Sequence, residues 1–220
     1  SENGKFDGED KIFIINLMAL LAVRSPQARE HWRHVAERQH KQIMSFTLSS
    51  KEQYEDTIDS MKEKGFDVPS KTVTYEDVVK FQEEGNYRIT LSNETHIKME
   101  LEGLDVVIKL LMGRNWSFIR AEQDAGHFVT TDRPVVLAWN EPDKVPTHMR
   151  HSPGFELQHT TVYFPITSNT ALMGSFITPE VNITCESEFV SMFNSVLLNH
   201  AHRYVYAPSD ISHHLNPKKI

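Results

Sequence analysis

The chain has one cysteine, Cys185, in 220 residues. No intrachain disulfide can form, so a reducing compartment, the cytoplasm, is the expected location. With no neighbouring base in the sequence, Cys185 reads as a small packed residue and not as a nucleophile. Runs of Lys and Arg are missing too. The formal net charge is −7, and Lys218-Lys219 is only a basic tail, so a phosphate backbone finds no general attraction and a nucleic-acid partner is disfavoured. The longest apolar run, residues 12–23, is interrupted by Asn16. It has about twelve residues where a spanning helix needs roughly twenty, which predicts a buried helix and no membrane segment. Its flank is acidic (Asp7, Glu9, Asp10) and no small-residue cleavage pattern follows, so it is not a signal peptide either. Glycine-rich dinucleotide and P-loop signatures, a Gly-Xaa-Ser-Xaa-Gly elbow and a Cys-Xaa-Xaa-Cys pair are all absent. The first residue is Ser1, and an upstream segment of the same protein is expected.

What is present is the composition of a soluble globular protein, 39% hydrophobic and 24% charged. Helical spacing comes first. Residues 9–24 are apolar nearly all round, which predicts a helix in the middle of a domain. Ser25-Pro26 ends it and starts a second helix, with a mostly solvated face, running to Phe46. Ser49 with Glu52 predicts a capping box for a third helix, closed at Gly65, and a connector containing Val68-Pro69 follows. Thr74 with Asp77 caps a short helix to Glu84. After the Gly85-Asn86 turn, residues 87–91 alternate enough to be a short strand or an extended link, and a longer helix runs from Ser92 or Asn93 to Met112.

Beyond Gly113 the period falls from 3.6 to 2. Residues 116–121, 128–130, 134–139, 159–165 and 171–176 read as strands rich in β-branched and aromatic types. Residues 140–155, with three prolines, read as a long irregular loop. A helix over 186–201 leads into a last strand, 203–207. The expected class is α+β, helical in its first half (1–113), with a mostly antiparallel sheet and one packed helix in its second (114–207). A loose tail, 208–220, completes a single domain, 1–220.

The stretch 126–139, GHFVTTDRPVVLAW, centres the functional reading. Two strands meet at the polar corner Thr131-Asp132-Arg133, which Pro134 holds extended. A carboxylate at a strand end is a candidate general base or metal ligand, so Asp132 is the candidate catalytic residue, with hydroxyls of Thr130 and Thr131 beside it. The competing and stronger expectation is that Asp132 satisfies backbone donors in an Asx-type turn. Arg24, Arg133 and Arg203 are candidates to bind a carboxylate or phosphate through the guanidinium fork; as structural residues they would form ion pairs. Asn194 is a candidate wall of the same pocket. Glu156 and Gln158 with Asp132 form a weak pattern for a cation that activates water, although Lys is the usual third member. A divalent metal is thus the candidate cofactor, yet no metal ligand set is assigned. His31 with His34, and His148 with His151, have ligand spacing but no third ligand, so solvated histidines are expected.

Three stretches together resemble a family. Phe128-Val129-Thr130-Thr131-Asp132-Arg133-Pro134-Val135-Val136 resembles its Phe-Ile-Thr-Ser-Asp-Asn-Pro-Val-Val motif. Tyr163-Phe164-Pro165-Ile166-Thr167, followed by Ala171-Leu172-Met173, resembles its Phe-Pro-Leu-Ser strand pair. Asn194 with His200-Ala201-His202-Arg203-Tyr204-Val205-Tyr206-Ala207 is similar to its closing Asn-to-Ala-Xaa-Arg-Xaa-Val-Tyr element. Ala22-Val23-Arg24-Ser25-Pro26 is similar to a helix-end Arg-Thr-Pro before them. In order and spacing these resemble the domain-of-unknown-function family forty-two thirty-eight. That family usually opens with a His-Xaa-Val-Pro segment and a Tyr-Leu-Xaa-Xaa-Phe element, which this chain begins after. The resemblance implies no activity. Two readings follow from the residues: an enzyme-like pocket, hydrolytic and directed at a phosphoester, around Asp132; or a non-catalytic protein- or ligand-binding module, acting through the 140–155 loop, in which Asp132 and Arg203 are structural.

Overall fold

The computed structural model describes residues 6–66, 68, 73–150 and 153–208, apart from the side chains of Pro26, Gln27 and His148. Pro69, the His148–His151 pair and Lys218-Lys219 therefore lie outside the described residues, as does all of the expected tail after Pro208. In chain order the elements are α1 (Gly8–Val23), α2 (Pro26–Thr47), α3 (Lys51–Glu63), α4 (Tyr75–Glu84), α5 (Asn93–Met112), β1 (Asn115–Ala121), β2 (Thr130–Thr131) and β3 (Val136–Trp139). Two single-turn 3₁₀ helices follow, Pro142–Lys144 and Thr147–Met149, then β4 (Thr160–Thr167), β5 (Thr170–Ser175), β6 (Asn182–Cys185), α6 (Ser187–His200) and β7 (Val205–Tyr206). The class is α+β, with helices first and a mostly antiparallel sheet after them. Among the described residues no helix is long and apolar enough to cross a membrane.

The chain divides into two compact units, Pro26–His96 and the remainder. In the first of these the helix ends obey local hydrogen-bond chemistry. Thr74 and Asp77 form the expected capping box of α4, and Gly85 closes that helix at φ +62°, where a glycine carries no Cβ penalty. The cap of α3 is Ser50, not Ser49: its hydroxyl accepts from the Gln53 amide at 3.1 Å. Residues 87–91 form no strand. Tyr87 stacks on Phe81 instead, ring centroids 5.1 Å apart, and an extended segment without a ladder partner is not a strand. On α2 the Arg33 guanidinium bonds both Glu30 and Glu37, and the His34 ring faces the same two carboxylates at 3.2 and 3.4 Å. That face is an ion-pair network on the helix surface.

The other unit is built on a five-stranded sheet of order β3-β4-β5-β1-β6, antiparallel except for the β1–β6 pair. Alternation along β1 and β5 sorts side chains onto two covered faces. Ile119, Ala171 and the α6 residues Val190, Phe193 and Leu197 form one cluster. Trp116 and Leu172 join Ile15 and Met18 of α1 and Leu111 of α5 in another. The sheet is therefore packed by α6 on one side and by α1 with α5 on the other. The strand β6 escapes period reading because it is an exposed edge of only four residues, too short for its alternation of Asn182 and Thr184 with Ile183 and Cys185 to stand out. Helix α1 is not enclosed as its all-round apolarity predicts. Ile15, Met18 and Ala19 are buried while Phe13 on the other side is 71% exposed.

Two contacts lock β1 against β5. The indole of Trp116 fills the space over Gly174, where an added Cβ would lie 2.7 Å from the ring. Arg114 is 2% exposed and donates to the carbonyls of Thr160 (2.8 Å), Gly174 (3.2 Å) and Phe155 (2.7 Å), with Phe176 stacked on the guanidinium. Burial pulls its pKa down to about 10, which still leaves it charged at neutral pH.

Candidate functional site

The two strands of the 126–139 stretch belong to different sheets. β3 is an edge of the main sheet, whereas β2 leaves it and pairs antiparallel with β7, Thr130 opposite Tyr206 and Thr131 opposite Val205. The corner between them is closed by Thr131, which is 4% exposed: its hydroxyl accepts from the Arg133 amide at 3.0 Å and donates to the Arg133 carbonyl at 2.8 Å.

Asp132 reaches across to the segment between α6 and β7. One carboxylate oxygen accepts the His202 amide at 2.9 Å and the other the Arg203 amide at 2.7 Å, while the Asp132 amide donates to the Tyr204 carbonyl at 3.1 Å. Desolvation pushes the carboxyl up, but the amides of His202, Arg203 and Tyr204 outweigh it, so its pKa lies below the ordinary carboxylate value. The His202 ring is 3.9 Å away and adds attraction when protonated. Arg203 meets Asp132 through its main chain, and its side chain is exposed.

Neighbouring residues fasten the same seam. Arg133 Nη1 donates to the His200 carbonyl at the end of α6 at 3.1 Å, satisfying a helix-terminal acceptor. Asn194, fully buried, spends its amide on the strand entering β2: Oδ1 accepts from the Val129 amide at 3.0 Å, and Nδ2 donates to the His127 carbonyl at 2.9 Å. Five sequence-predicted residues thus come together, Thr131, Asp132, Arg133, Asn194 and Arg203, each through at least one main-chain partner. Arg24 is in another pair, its Nε 3.8 Å from Glu100 on α5. Glu156 and Gln158 are exposed before β4. Among the described residues no three His, Cys, Asp or Glu side chains gather as a metal site. Cys185 is buried, and burial followed by the charge of Glu122 pushes its thiol up, away from the reactive thiolate.

Beside the seam lies a cleft of about 340 Å³. Its walls are the 128–130 strand, residues 165–168 after the β4 apolar run, and residues 206–208. Thr130, Thr167 and Ser168 are set among Phe128, Ile166 and Tyr206, with the Thr167 hydroxyl already bonded to the Thr170 hydroxyl at 2.6 Å and accepting the Asn169 amide at 3.2 Å. Among the described residues no charged side chain lines it, and Asp132 is not in its wall. Sequence reasoning did not select Ile166, Thr167, Ser168 or Pro208 as site residues. A signal existed for Ile166 and Thr167, which lie in one of the three stretches that carry the family resemblance; Ser168 and Pro208 each follow directly after such a stretch. The described residues of the 140–155 loop contribute nothing to this cleft. The loop is organised by its two 3₁₀ turns, with Arg150 donating to the Val145 and Asp143 carbonyls at 2.7 and 3.1 Å.

The model of one protein family, described as Protein of unknown function (DUF4238), matches residues 1–210. No curated protein and no solved structure matches the chain.

Proposed function

The chain belongs to the DUF4238 family of proteins of unknown function, and from that premise we propose that it is a non-catalytic binding module whose ligand enters the cleft beside the β2–β7 ribbon. The observation that carries this reading is the state of Asp132. Both its oxygens accept main-chain amides, so the carboxylate already has a structural task, holding β2 to the segment after α6, and keeps only the remaining lone pair of each oxygen for any other partner. In the cleft, hydroxyls among apolar walls and no charge favour a neutral ligand with an apolar body and one or two polar groups. A phosphoester, with its anionic oxygens, finds no cation in that wall among the described residues. The lone buried Cys185 supports a cytoplasmic setting for the same protein.

The test uses anilinonaphthalenesulfonate, a dye with an apolar body, as probe. Titrating it while following amide resonances is expected to move Phe128, Val129, Thr130 and Ile166 through Ser168, and Ile166→Glu is expected to abolish the shifts. Shifts confined to other parts of the chain would overturn the cleft as the binding site. Hydrolysis of para-nitrophenyl phosphate that depends on added magnesium and disappears in Asp132→Asn would overturn the non-catalytic reading.

A further inference from the structure

Helix α1 carries an apolar stripe that the described residues of its own unit leave exposed. Phe13 is 71% exposed, Leu17 48% and Leu20 40%, and Glu9, Asn16 and Arg24 are exposed on the same side. At 3.6 residues per turn these six positions fall within about 100° of one another around the helix. The stripe begins with a carboxylate and ends with a guanidinium, and everything between is apolar except Asn16. Asn16 turns its amide back onto its own helix, donating to the Ile12 carbonyl at 2.8 Å, which lowers the cost of covering it.

That order of groups complements itself. We propose that α1 is the contact helix of a homodimer, packed antiparallel on α1 of a second copy about a twofold axis between Asn16 and Leu17. In that register Glu9 faces the partner's Arg24 and Phe13 faces the partner's Leu20, and the same pairs recur on the other side of the axis, as an isologous interface requires. A parallel arrangement would set Glu9 on Glu9 and Arg24 on Arg24, like charges that repel across an apolar seam. An anionic membrane surface would be repelled by Glu9 at one end of the stripe. Arg24 Nε lies 3.8 Å from Glu100, with the Arg24 side chain 60% exposed, so its guanidinium reaches a second carboxylate without leaving the first. One helix face buries less than the roughly 800 Å² per partner of a standard stable interface, and the dimer is accordingly weak and concentration-dependent.

Sedimentation velocity over a concentration series of the chain reads the association, and disulfide trapping reads its geometry. The expected result is a reversible dimer weakened about tenfold or more by Leu17→Glu, a substitution on an exposed face whose fold is checked by circular dichroism. Phe13→Cys chains mixed with Leu20→Cys chains are expected to cross-link under mild oxidation faster than either alone, because the antiparallel register separates Phe13 from its own symmetry mate by about 10 Å along the helix. The native Cys185 is buried and does not compete. Three results would overturn the proposal: a monomer at every concentration, a dimer indifferent to Leu17→Glu, or Phe13→Cys cross-linking to itself as fast as to Leu20→Cys. A monomer in which the Phe13→Cys thiol resists alkylation would show the stripe covered by another segment of the chain, and overturn it equally.

Discussion

Asp132 holds Arg203 by its backbone amide, 2.7 Å from Oδ2, while the Arg203 side chain stands exposed. A carboxylate and an arginine 71 positions apart thus form a main-chain tie and not an ion pair. Removing the carboxylate strands two amides, whereas removing the guanidinium strands nothing at this seam. Asp132→Ala is expected to lower the melting temperature, Asp132→Asn to lower it less because one acceptor oxygen remains, and Arg203→Ala to leave it unchanged. Equal losses from Asp132→Ala and Arg203→Ala would count against the tie.

The same carboxylate makes stability depend on pH. Its pKa is depressed in the folded chain, so its contribution is fully present above the unfolded carboxyl pKa, roughly 4, and is lost as pH falls through the folded value. Urea midpoints of the wild type and Asp132→Asn are expected to differ at neutral pH and to converge in acid. A gap that widens as pH falls would contradict the assignment.

Asn194 is buried with both halves of its amide engaged. Asn194→Ala leaves the Val129 amide and the His127 carbonyl unsatisfied and is expected to cost about 3 kcal/mol, since each orphaned buried group costs roughly 1–3 kcal/mol. Chemical denaturation measures it. Amide exchange at Val129 is expected to accelerate in the variant, and unchanged protection there would show the bond to be dispensable.

Gly174 admits no side chain under Trp116, whose ring lies 2.7 Å from an added Cβ. Gly174→Ala is expected to destabilise by about 1–3 kcal/mol through overpacking. Combined with Trp116→Leu it is expected to cost less than the sum of the two single changes, because the smaller side chain vacates the clash. Strict additivity in that cycle would mean that the ring and the glycine do not share the strain.

Much of the fold was legible in residues 6–112 because its signals are local. Thr74 and Asp77 are three residues apart, and their reciprocal bonds depend on nothing outside one helical turn. Ser50 against Ser49 shows the resolution of such reading, one residue at a helix end. The β1, β4 and β5 strands were legible because both sheet faces are covered, so residues pointing to either face are buried and each strand is a run rich in apolar and β-branched residues. Where reading failed, a distant partner decided. Residues 87–91 could be a strand or a link by their alternation, and the missing ladder decided for the link; β6 alternates over only four residues, too short a run to select from sequence, yet has a ladder with β1.

The candidate site divides along the same line. The sequence alone determined which residues are chemically able to act at the corner, Thr131, Asp132, Arg133, Asn194 and Arg203, and excluded disulfides. Tertiary structure alone decided that β2 abandons the main sheet for β7, that Asp132 meets the amides of residues 70 and 71 positions away, and that the cleft opens beside this seam and not at the carboxylate. Capping and periodicity are settled within a helical turn or a strand. The partner of a half-buried carboxylate or a buried amide is settled by which segments the packed core brings together, and no spacing along the chain encodes that distance.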